Sequence, residues 1–243
     1  MSRVCLLTGA SGPLGAAFIE RHAGRYHIVA VRHRRPAYVA SQHQRFIDPL
    51  APNRDLAANA HRAHTISADL TRPEEIDALV EEALQAYGKI DLLVNAAGVR
   101  RFSPLLADCM QAGAAELLNV NVLAPLGVSL ALARASWRAQ RDANVEANRN
   151  IVNISSTAGL YVYPDYGQAL YATSKAAINH LTYHLASEFW DIGIRVNAVA
   201  PDTFPGRIPT EVVLDAIDEL DRSSETGQVR VLQMPEPVIA NRA

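Results

Sequence analysis

The spacing of Tyr171 and Lys175, in the segment Tyr-Ala-Thr-Ser-Lys, suits proton transfer. Residues four apart lie on one face of an α-helix, so the lysine ammonium is expected beside the tyrosine phenol. A free phenol has a pKa of about 10 and is a poor base at neutral pH. A neighbouring positive charge stabilises the phenolate and lowers that pKa toward the working range of an acid/base catalyst. The pair therefore indicates a general acid/base.

Two further polar positions precede this pair in the chain. Ser155 and Ser156 directly follow the apolar run Asn150–Ile154. A serine at the carboxyl end of a strand can hydrogen-bond a substrate oxygen, and strand alternation predicts that only one of the two faces the site. Asn121 is the next candidate, although an asparagine within a helix also commonly bonds only locally.

A glycine-containing turn, Thr8 to Gly15, separates the first predicted strand from the first predicted helix. Such a turn lets backbone N–H groups and the helix N-terminus meet a pyrophosphate without obstruction by side chains. The alternative is a turn that merely joins a strand to a helix. The predicted phosphate-binding residues are Gly9, Ser11, Gly12, Pro13, Leu14 and Gly15.

Further candidates follow later strands, at the sheet edge where ligands bind in open α/β sheets. Arg32 and Arg34 follow the second strand, where an NAD-selective site normally carries a carboxylate for the ribose 2′-hydroxyl. Arginines there can instead pair with a 2′-phosphate, which favours NADP(H) over NAD(H), unless they only form a solvated basic loop. The other predicted cofactor contacts are Asp69, Leu70, Asn95, Ala96, Ala97, Gly98, Pro201 and Thr203, together with Tyr171 and Lys175 themselves.

Strand-length apolar runs alternate along the chain with longer helical patterns. This order predicts a doubly wound, Rossmann-type α/β fold, a parallel sheet of about seven strands with helices on both faces, as a single domain over residues 1–243. The predicted strands are Val4–Leu7, Ile28–Val31, His64–Ala68, Asp91–Val94, Asn150–Ile154, Arg195–Val199 and Val229–Leu232. The predicted helices are Leu14–His22, Pro73–Tyr87, Ala112–Gln140, Ala169–Trp190 and Thr210–Leu220.

Three segments are predicted to elaborate this fold. Residues 36–62 form a long polar insertion between the second and third strands, and residues 234–243 form an extended tail. Ser136–Arg149, with alternating charge, is expected to extend a helix and to face solvent or a second subunit.

Composition excludes several classes of function. A formal net charge of -2 argues against capture of nucleic acid or acidic membranes. Two cysteines cannot build a disulfide framework, and the first apolar run is too short to cross a bilayer, so we expect a cytoplasmic protein. His180 and His184 have metal-clamp spacing but no evident further ligand, so a packing or subunit contact is favoured and no metal is predicted.

Taken together, these motifs resemble the short-chain dehydrogenase/reductase family in order and approximate spacing, from about Val4 to Pro201. The resemblance implies an oxidoreductase that moves hydride between a nicotinamide and a ketone/alcohol pair. Tyr171 would exchange the hydroxyl proton, and Lys175 would bind the nicotinamide ribose and lower the tyrosine pKa. Ser156 would orient the substrate, and Asn121 would hold a water in a proton relay. It also implies a homodimer or homotetramer, in which Ala112–Gln140 and Ala169–Trp190 pack against their copies.

The sequence departs from the family pattern at several positions, which bear on the substrate. Pro13 stands where a glycine is usual, and Asp202 replaces the glycine after Pro201. The segment Thr203–Pro209 is much shorter than the family's substrate cover. Because Tyr161, Tyr163 and Tyr166 lie between Ser156 and Tyr171, we expect a roomy pocket for bulky or cyclic substrates.

Two alternative functions remain open at this point. The same fold can serve as a dinucleotide-binding sensor or scaffold without turnover. An epimerase or dehydratase acting through a transient oxidation would use the same residues. A complete set of Ser156, Tyr171, Lys175 and Asn121 favours the oxidoreductase, since a pure binding module does not need it.

Overall fold

The computed structural model of the chain describes residues 2–37, 63–107, 109–163 and 167–233. These residues form one parallel sheet of seven strands in the order β3-β2-β1-β4-β5-β6-β7. The predicted fold class is therefore confirmed. The strands are β1 Arg3–Thr8, β2 Tyr26–Arg32, β3 Ala63–Ser67, β4 Leu92–Asn95, β5 Asn150–Ile154, β6 Arg195–Pro201 and β7 Val229–Leu232.

Helices cover both faces of the sheet. Leu14, Phe18 and Ile217, from the first and last helices, pack in one apolar cluster with β1 and β2. Val80 and Leu132 pack in a second cluster on the opposite face. Because helices cover both faces of the sheet, side chains on both faces of each strand are buried, and the strands are therefore continuous apolar runs. The helices are α1 Pro13–His22, α2 Pro73–Tyr87, α3 Cys109–Leu118, α4 Ala124–Ala135, α5 Arg141–Glu146, α6 Ala169–Glu188 and α7 Thr210–Arg222.

The predicted helix over Ala112–Gln140 is confirmed as far as Ala135, where α4 ends, and is wrong beyond that residue. A π-turn, Asn119–Leu123, lies within this helix between α3 and α4, and the residues on either side of it keep helical dihedral angles. The hydropathy pattern runs through the turn unbroken, so it gives no signal there. Gly113–Ala139 is apolar enough to cross a membrane by length and composition, with mean hydropathy 1.5. Its core-facing side chains, such as Val128 and Leu132, are nevertheless fully buried.

The expectation for Ser136–Arg149 was also wrong in part. The segment does not extend the helix, because Ser136 leaves the helical conformation at φ -139° and ψ -57°. Trp137 is then fully buried, and its indole N–H donates to the Ile90 carbonyl over 3.0 Å. Asn144 is buried as well, with its amide donating to the carbonyls of Trp137 and Ile192. Charged residues between these anchors, such as Arg138 and Asp142, do face solvent.

The strand order reverses between β1 and β4, which lie side by side although β2 and β3 separate them in the chain. In doubly wound sheets, ligands bind in the crevice at the carboxyl ends of the strands at such a switch point. The glycine turn follows β1 and Asn95–Gly98 follows β4, so both lie at this crevice. The predicted insertion from residue 38 onward, the tail 234–243, Tyr166 and the side chain of Cys109 lie outside the described residues.

Candidate active site

Helix α6 places Tyr171 and Lys175 together at the carboxyl edge of the sheet. Lys175 Nζ lies 5.7 Å from the centroid of the Tyr171 ring. The ammonium is buried and donates a hydrogen bond to the Ile154 carbonyl at the end of β5, over 2.9 Å. The lysine is therefore fixed at the strand end, one helical turn from the phenol, as the four-residue spacing predicts.

Ser156 approaches the same phenol from the turn after β5. It begins a short 3₁₀ turn, Thr157–Gly159, and its hydroxyl accepts a hydrogen bond from the Ala158 N–H over 3.2 Å. The turn lies directly on α6, since a Cβ at Gly159 would come within 2.5 Å of the Lys175 backbone. Only glycine allows this approach, which brings the Ser156 hydroxyl into a hydrogen bond with Tyr171.

Ser155 points the other way, in agreement with strand alternation. Its hydroxyl is buried and donates to the Lys175 carbonyl over 3.2 Å. It therefore ties β5 to α6 and leaves Ser156 as the serine of the site.

Asn121 lies buried in the π-turn and joins three parts of the site. Its Oδ1 accepts from the Val99 N–H over 2.8 Å, and its Nδ2 donates to the Val99 carbonyl and to Ser174 Oγ, each over 3.0 Å. Ser174 in turn donates to the Tyr171 carbonyl over 2.7 Å. The side chain thus holds the loop after β4 against the tyrosine helix. Whether a water binds here, as the family resemblance implies, remains a prediction.

Burial governs the protonation of the pair. It raises the pKa of Tyr171 above its usual value, while the hydrogen bond from Ser156 and the positive charge of Arg100 act in the opposite direction. Burial also lowers the pKa of Lys175 to about 8. The lowering of the tyrosine pKa that is expected from neighbouring positive charge does not prevail, because desolvation of the phenolate is the larger effect. Tyr171 therefore holds its proton at neutral pH.

The glycine turn presents an open helix N-terminus at the switch point. Within the described part of the chain, no side chain caps α1 at Gly12, and the first turn carries no acidic residue. The first backbone N–H groups of a helix have no acceptor within the helix, so those of Leu14 and Gly15 are available to a phosphate. Pro13 occupies the first helical position, where its missing N–H does no harm.

Gly9 and Thr8 pack this turn against the loop after β4. Gly9 has φ +71°, and a Cβ there would lie 2.6 Å from the Ala96 carbonyl oxygen. The Thr8 hydroxyl accepts from the N–H groups of Ala96 and Ala97, each over 3.1 Å. This role of Thr8 was not recognised from the sequence.

Of the other residues predicted at the end of β4, Asn95 is turned away from the catalytic residues and Gly98 lies beside them. Asn95 is buried and donates to Asn153 Oδ1 over 2.9 Å, so its side chain lies within the sheet. Gly98 faces the catalytic residues, since a Cβ there would lie 3.4 Å from Asn121 Oδ1 and 3.8 Å from Lys175 Nζ.

Basic residues follow β2 beside the glycine turn. The Ser11 hydroxyl donates to the Arg35 carbonyl over 2.7 Å and so holds this segment at the turn. Arg32 is partly exposed and Arg34 exposed. Among the described residues, no carboxylate pairs with either guanidinium. The site could therefore accept a phosphate on the ribose.

The predicted cofactor residues after β3, Asp69 and Leu70, contact other residues of the chain. Asp69 Oδ1 accepts from the N–H and hydroxyl of Thr71, which lowers the pKa of this carboxyl. Its Oδ2 lies 3.6 Å from His33 Nε2, at the end of β2. Leu70 packs its side chain against the core, so only its backbone is free to meet a cofactor.

Phe102 is a further wall of the site that the sequence does not indicate. Its ring stands edge-on to Tyr171, with centroids 5.4 Å apart, and is 49% exposed.

Arg100, from the same loop, donates to the Phe204 carbonyl over 3.4 Å and so connects this loop to the segment after β6. Pro201, which ends β6, is buried, and exposed Thr203 bonds to Asp202 Oδ1.

A cleft of about 650 Å³ opens beside the site, over the N-terminal half of α6. Tyr161 is 47% exposed along it, and the Tyr163 hydroxyl donates to Thr157 Oγ1 over 2.8 Å. The described lining residues do not include Ser156, Tyr171 or Lys175, so the cleft adjoins the reacting groups rather than enclosing them.

Comparison with known proteins agrees with this geometry. The family model described as short chain dehydrogenase matches residues 3–215. Glucose 1-dehydrogenase 2 of Bacillus subtilis is 29% identical over 99% of this chain and 86% of its own length. A short-chain oxidoreductase from Brucella ovis, solved with a partially ordered NAD, is 28% identical with a TM-score of 0.71, covering 96% of this chain and 100% of its own. ElxO, solved with NADP, shares the fold at 23% identity and a TM-score of 0.73, covering 96% and 97%.

The chain belongs to the short-chain dehydrogenase/reductase family. The predictions of this family and of an NAD(P)-dependent oxidoreductase acting on an alcohol/carbonyl pair are thereby confirmed.

Proposed function

We propose that this protein is an NADP(H)-dependent reductase of ketones, with Tyr171 as its general acid. The main support for this proposal is that Ser156, Tyr171 and Lys175 lie close together beside the switch-point crevice. The turn after β5 places Ser156 there, and α6 places the other two residues. A protein that only binds a dinucleotide has no need of this arrangement.

When bound, NADPH would supply the hydride for the carbonyl carbon, and the residues of this chain would provide the proton and the binding contacts. Tyr171 donates its hydroxyl proton to the carbonyl oxygen, and Ser156 hydrogen-bonds the same oxygen as charge develops on it. Lys175, with a pKa of about 8, is mostly charged at neutral pH and stabilises the phenolate left behind. Because burial keeps the proton on Tyr171, the phenol is in the protonated form that a general acid requires.

The cofactor proposal rests on the open N-terminus of α1 and on Arg32 and Arg34 at the end of β2, neither of which pairs with a carboxylate in the described part of the chain. The first would hold the pyrophosphate through the N–H groups of Leu14 and Gly15. Arg32 and Arg34 would hold the 2′-phosphate of NADP(H) through charge-assisted hydrogen bonds. Lys175, and the backbone of Gly98 beside it, would meet the nicotinamide ribose.

The substrate proposal rests on the walls beside Tyr171. Phe102 and the cleft lined by Leu160, Tyr161 and Tyr163 supply apolar surface with hydroxyl tips. Such walls suit bulky or ring-bearing ketones better than short aliphatic ones.

We further propose a cytoplasmic homo-oligomer, a dimer or a tetramer. Leu123, in the π-turn, is 54% exposed, and Tyr183, on α6, is 46% exposed. These apolar side chains lie on the helices that are expected to pack against their copies.

The test is NADPH oxidation against a panel of cyclic and aliphatic ketones, run with wild type and Tyr171→Phe. Turnover should fall at least about a hundredfold in the variant while cofactor binding is retained. The matched control is Tyr87→Phe, at the end of α2, whose ring lies against His27 and His64 with centroids 5.6 and 6.1 Å apart, and this variant should stay near wild type. Normal turnover by Tyr171→Phe would refute the mechanism, and no turnover of any ketone by wild type would favour the scaffold alternative.

A further inference from the structure

The exposed side of α6 carries two histidines whose rings converge. His180 and His184 are both exposed, and their Nε2 atoms lie 3.2 Å apart, with ring centroids separated by 4.8 Å. Residues four apart on a helix are neighbours on its surface, but only particular side-chain conformations bring the same ring nitrogen of each to a common point. The pair lies away from Lys175, whose side chain is buried on the opposite side of the helix.

The separation of these nitrogens matches that of two ligands on one metal ion. Nitrogens bound at about 2.05 Å to a tetrahedral zinc ion lie about 3.3 Å from each other. Imidazole nitrogen is a preferred ligand of Zn²⁺, Cu²⁺ and Ni²⁺. A hydrogen bond between two neutral rings has a similar length, so the distance alone allows both arrangements.

The charge around the pair permits a cation. Apart from Lys175, helix α6 contains no lysine or arginine, and Glu188 lies one turn beyond His184. The ring of Tyr183 meets that of His180 edge-on, with centroids 6.4 Å apart. A divalent ion here would meet no positive side chain from its own helix.

We propose that His180 and His184 form a binding site for a divalent transition metal, represented by Zn²⁺. The expectation of no metal was based on the lack of a third ligand in the sequence. A pair held at metal-ligand separation needs no third side chain, because water or the same pair of a second copy can complete a tetrahedral shell. The proposal does not depend on hydride chemistry.

The experiment is titration of metal-free, untagged protein with ZnCl₂ by calorimetry, and with CuCl₂ by electron paramagnetic resonance. Wild type should bind zinc with a micromolar Kd, and His180→Ala and His184→Ala should each weaken binding at least about tenfold. The copper spectrum should show coupling to two or more nitrogens. Because both positions are exposed on a helix, alanine should leave folding intact, which circular dichroism checks.

His64→Ala is the matched control, since His64 lies on the edge strand β3 with Nε2 3.3 Å from Glu82 Oε1, whereas α6 packs on β6. It should leave the zinc affinity unchanged. A ratio of one zinc per chain would indicate completion by water, and one per two chains completion by a second copy; both ratios support the site. Absence of binding at 100 μM zinc, affinity unchanged in both histidine variants, or an equal loss in His64→Ala would overturn it.

Discussion

The ring of Phe102 stands edge-on to the ring of Tyr171, at a centroid separation of 5.4 Å and an interplanar angle of 66°. The contact joins the loop after β4 to the tyrosine helix. Because half of Phe102 is exposed, the ring forms both a brace for the phenol and part of the opening beside it. Edge-to-face pairs of this kind are stabilising beyond the area they bury.

Replacing Phe102 with alanine should therefore affect bulky substrates most. We expect the KM for cyclic ketones to rise about tenfold, with kcat changing less, because binding surface is lost while the Ser156–Tyr171 hydrogen bond remains. Steady-state kinetics on cyclic and short aliphatic ketones measures the difference. Leu106→Ala is the control, since Leu106 is 98% exposed in the same loop. An equal rise in KM for small ketones would show that Phe102 acts only by bracing the tyrosine.

The basic segment after β2 predicts the choice of cofactor. Wild type should bind NADPH more tightly than NADH, and Arg32→Ala/Arg34→Ala should weaken NADPH at least about tenfold, since hydrogen bonds to charged groups contribute about 1.5–3 kcal/mol each. NADH affinity should stay within about twofold, because NADH lacks the 2′-phosphate. Fluorescence titration with both cofactors decides the matter. Arg138→Ala, at an exposed position, controls for loss of positive charge alone. Equal affinities in wild type would exclude the proposal.

Much of this architecture could be predicted because it is encoded locally. The buried strands are continuous apolar runs, so all seven were placed within about two residues of their observed limits. Pro13 and Pro73 mark the starts of two helices, and this signal is also local, because proline suits the first helical turn. The juxtaposition of Tyr171 and Lys175 follows from helix geometry, which depends on spacing alone.

Other features depend on contacts distant in sequence and could not be predicted. The π-turn contains Asn121, whose side chain forms hydrogen bonds with Val99 and Ser174. The periodicity of the sequence gives no sign of these contacts. Trp137 leaves the helix for a buried position against Ile90. The place of Phe102 beside Tyr171 is likewise set by how the loop after β4 crosses the site.

The exposed apolar side chains of Leu123, in the π-turn, and Tyr183, on α6, predict that this surface is buried in an oligomer. Leu123→Glu/Tyr183→Glu should convert the oligomer to a monomer, because each carboxylate would be desolvated in a packed interface. Light scattering at micromolar concentration measures the mass. Val145→Glu, at a position 56% exposed on α5, is the control and should leave the mass unchanged. A wild-type monomer, or an oligomer that survives the double substitution, would contradict the expected interface.

The buried ammonium of Lys175 predicts an unusual dependence of stability on pH. Burial lowers the pKa of Lys175 to about 8 in the folded protein, whereas an unfolded lysine keeps its proton to a pKa of about 10.4. Between these values the unfolded chain binds more protons, so raising the pH favours the folded state. From pH 8 to 10, cofactor-free wild type should therefore gain on the order of 2 kcal/mol in unfolding free energy relative to Lys175→Met.

Urea unfolding of both proteins at several pH values measures this gain, and their difference cancels the titration of groups that they share. Below pH 8 the charged ammonium is buried at a cost, so Lys175→Met should equal or exceed wild type in stability there. The chain contains one other lysine, Lys89, whose ammonium lies 2.9 Å from Asp91 Oδ2. Lys89→Met is the matched control, and wild type should show no comparable gain over it. Parallel stability curves for wild type and Lys175→Met across this range would mean that the lysine keeps its proton when buried, and that its contact with the Ile154 carbonyl offsets the loss of water.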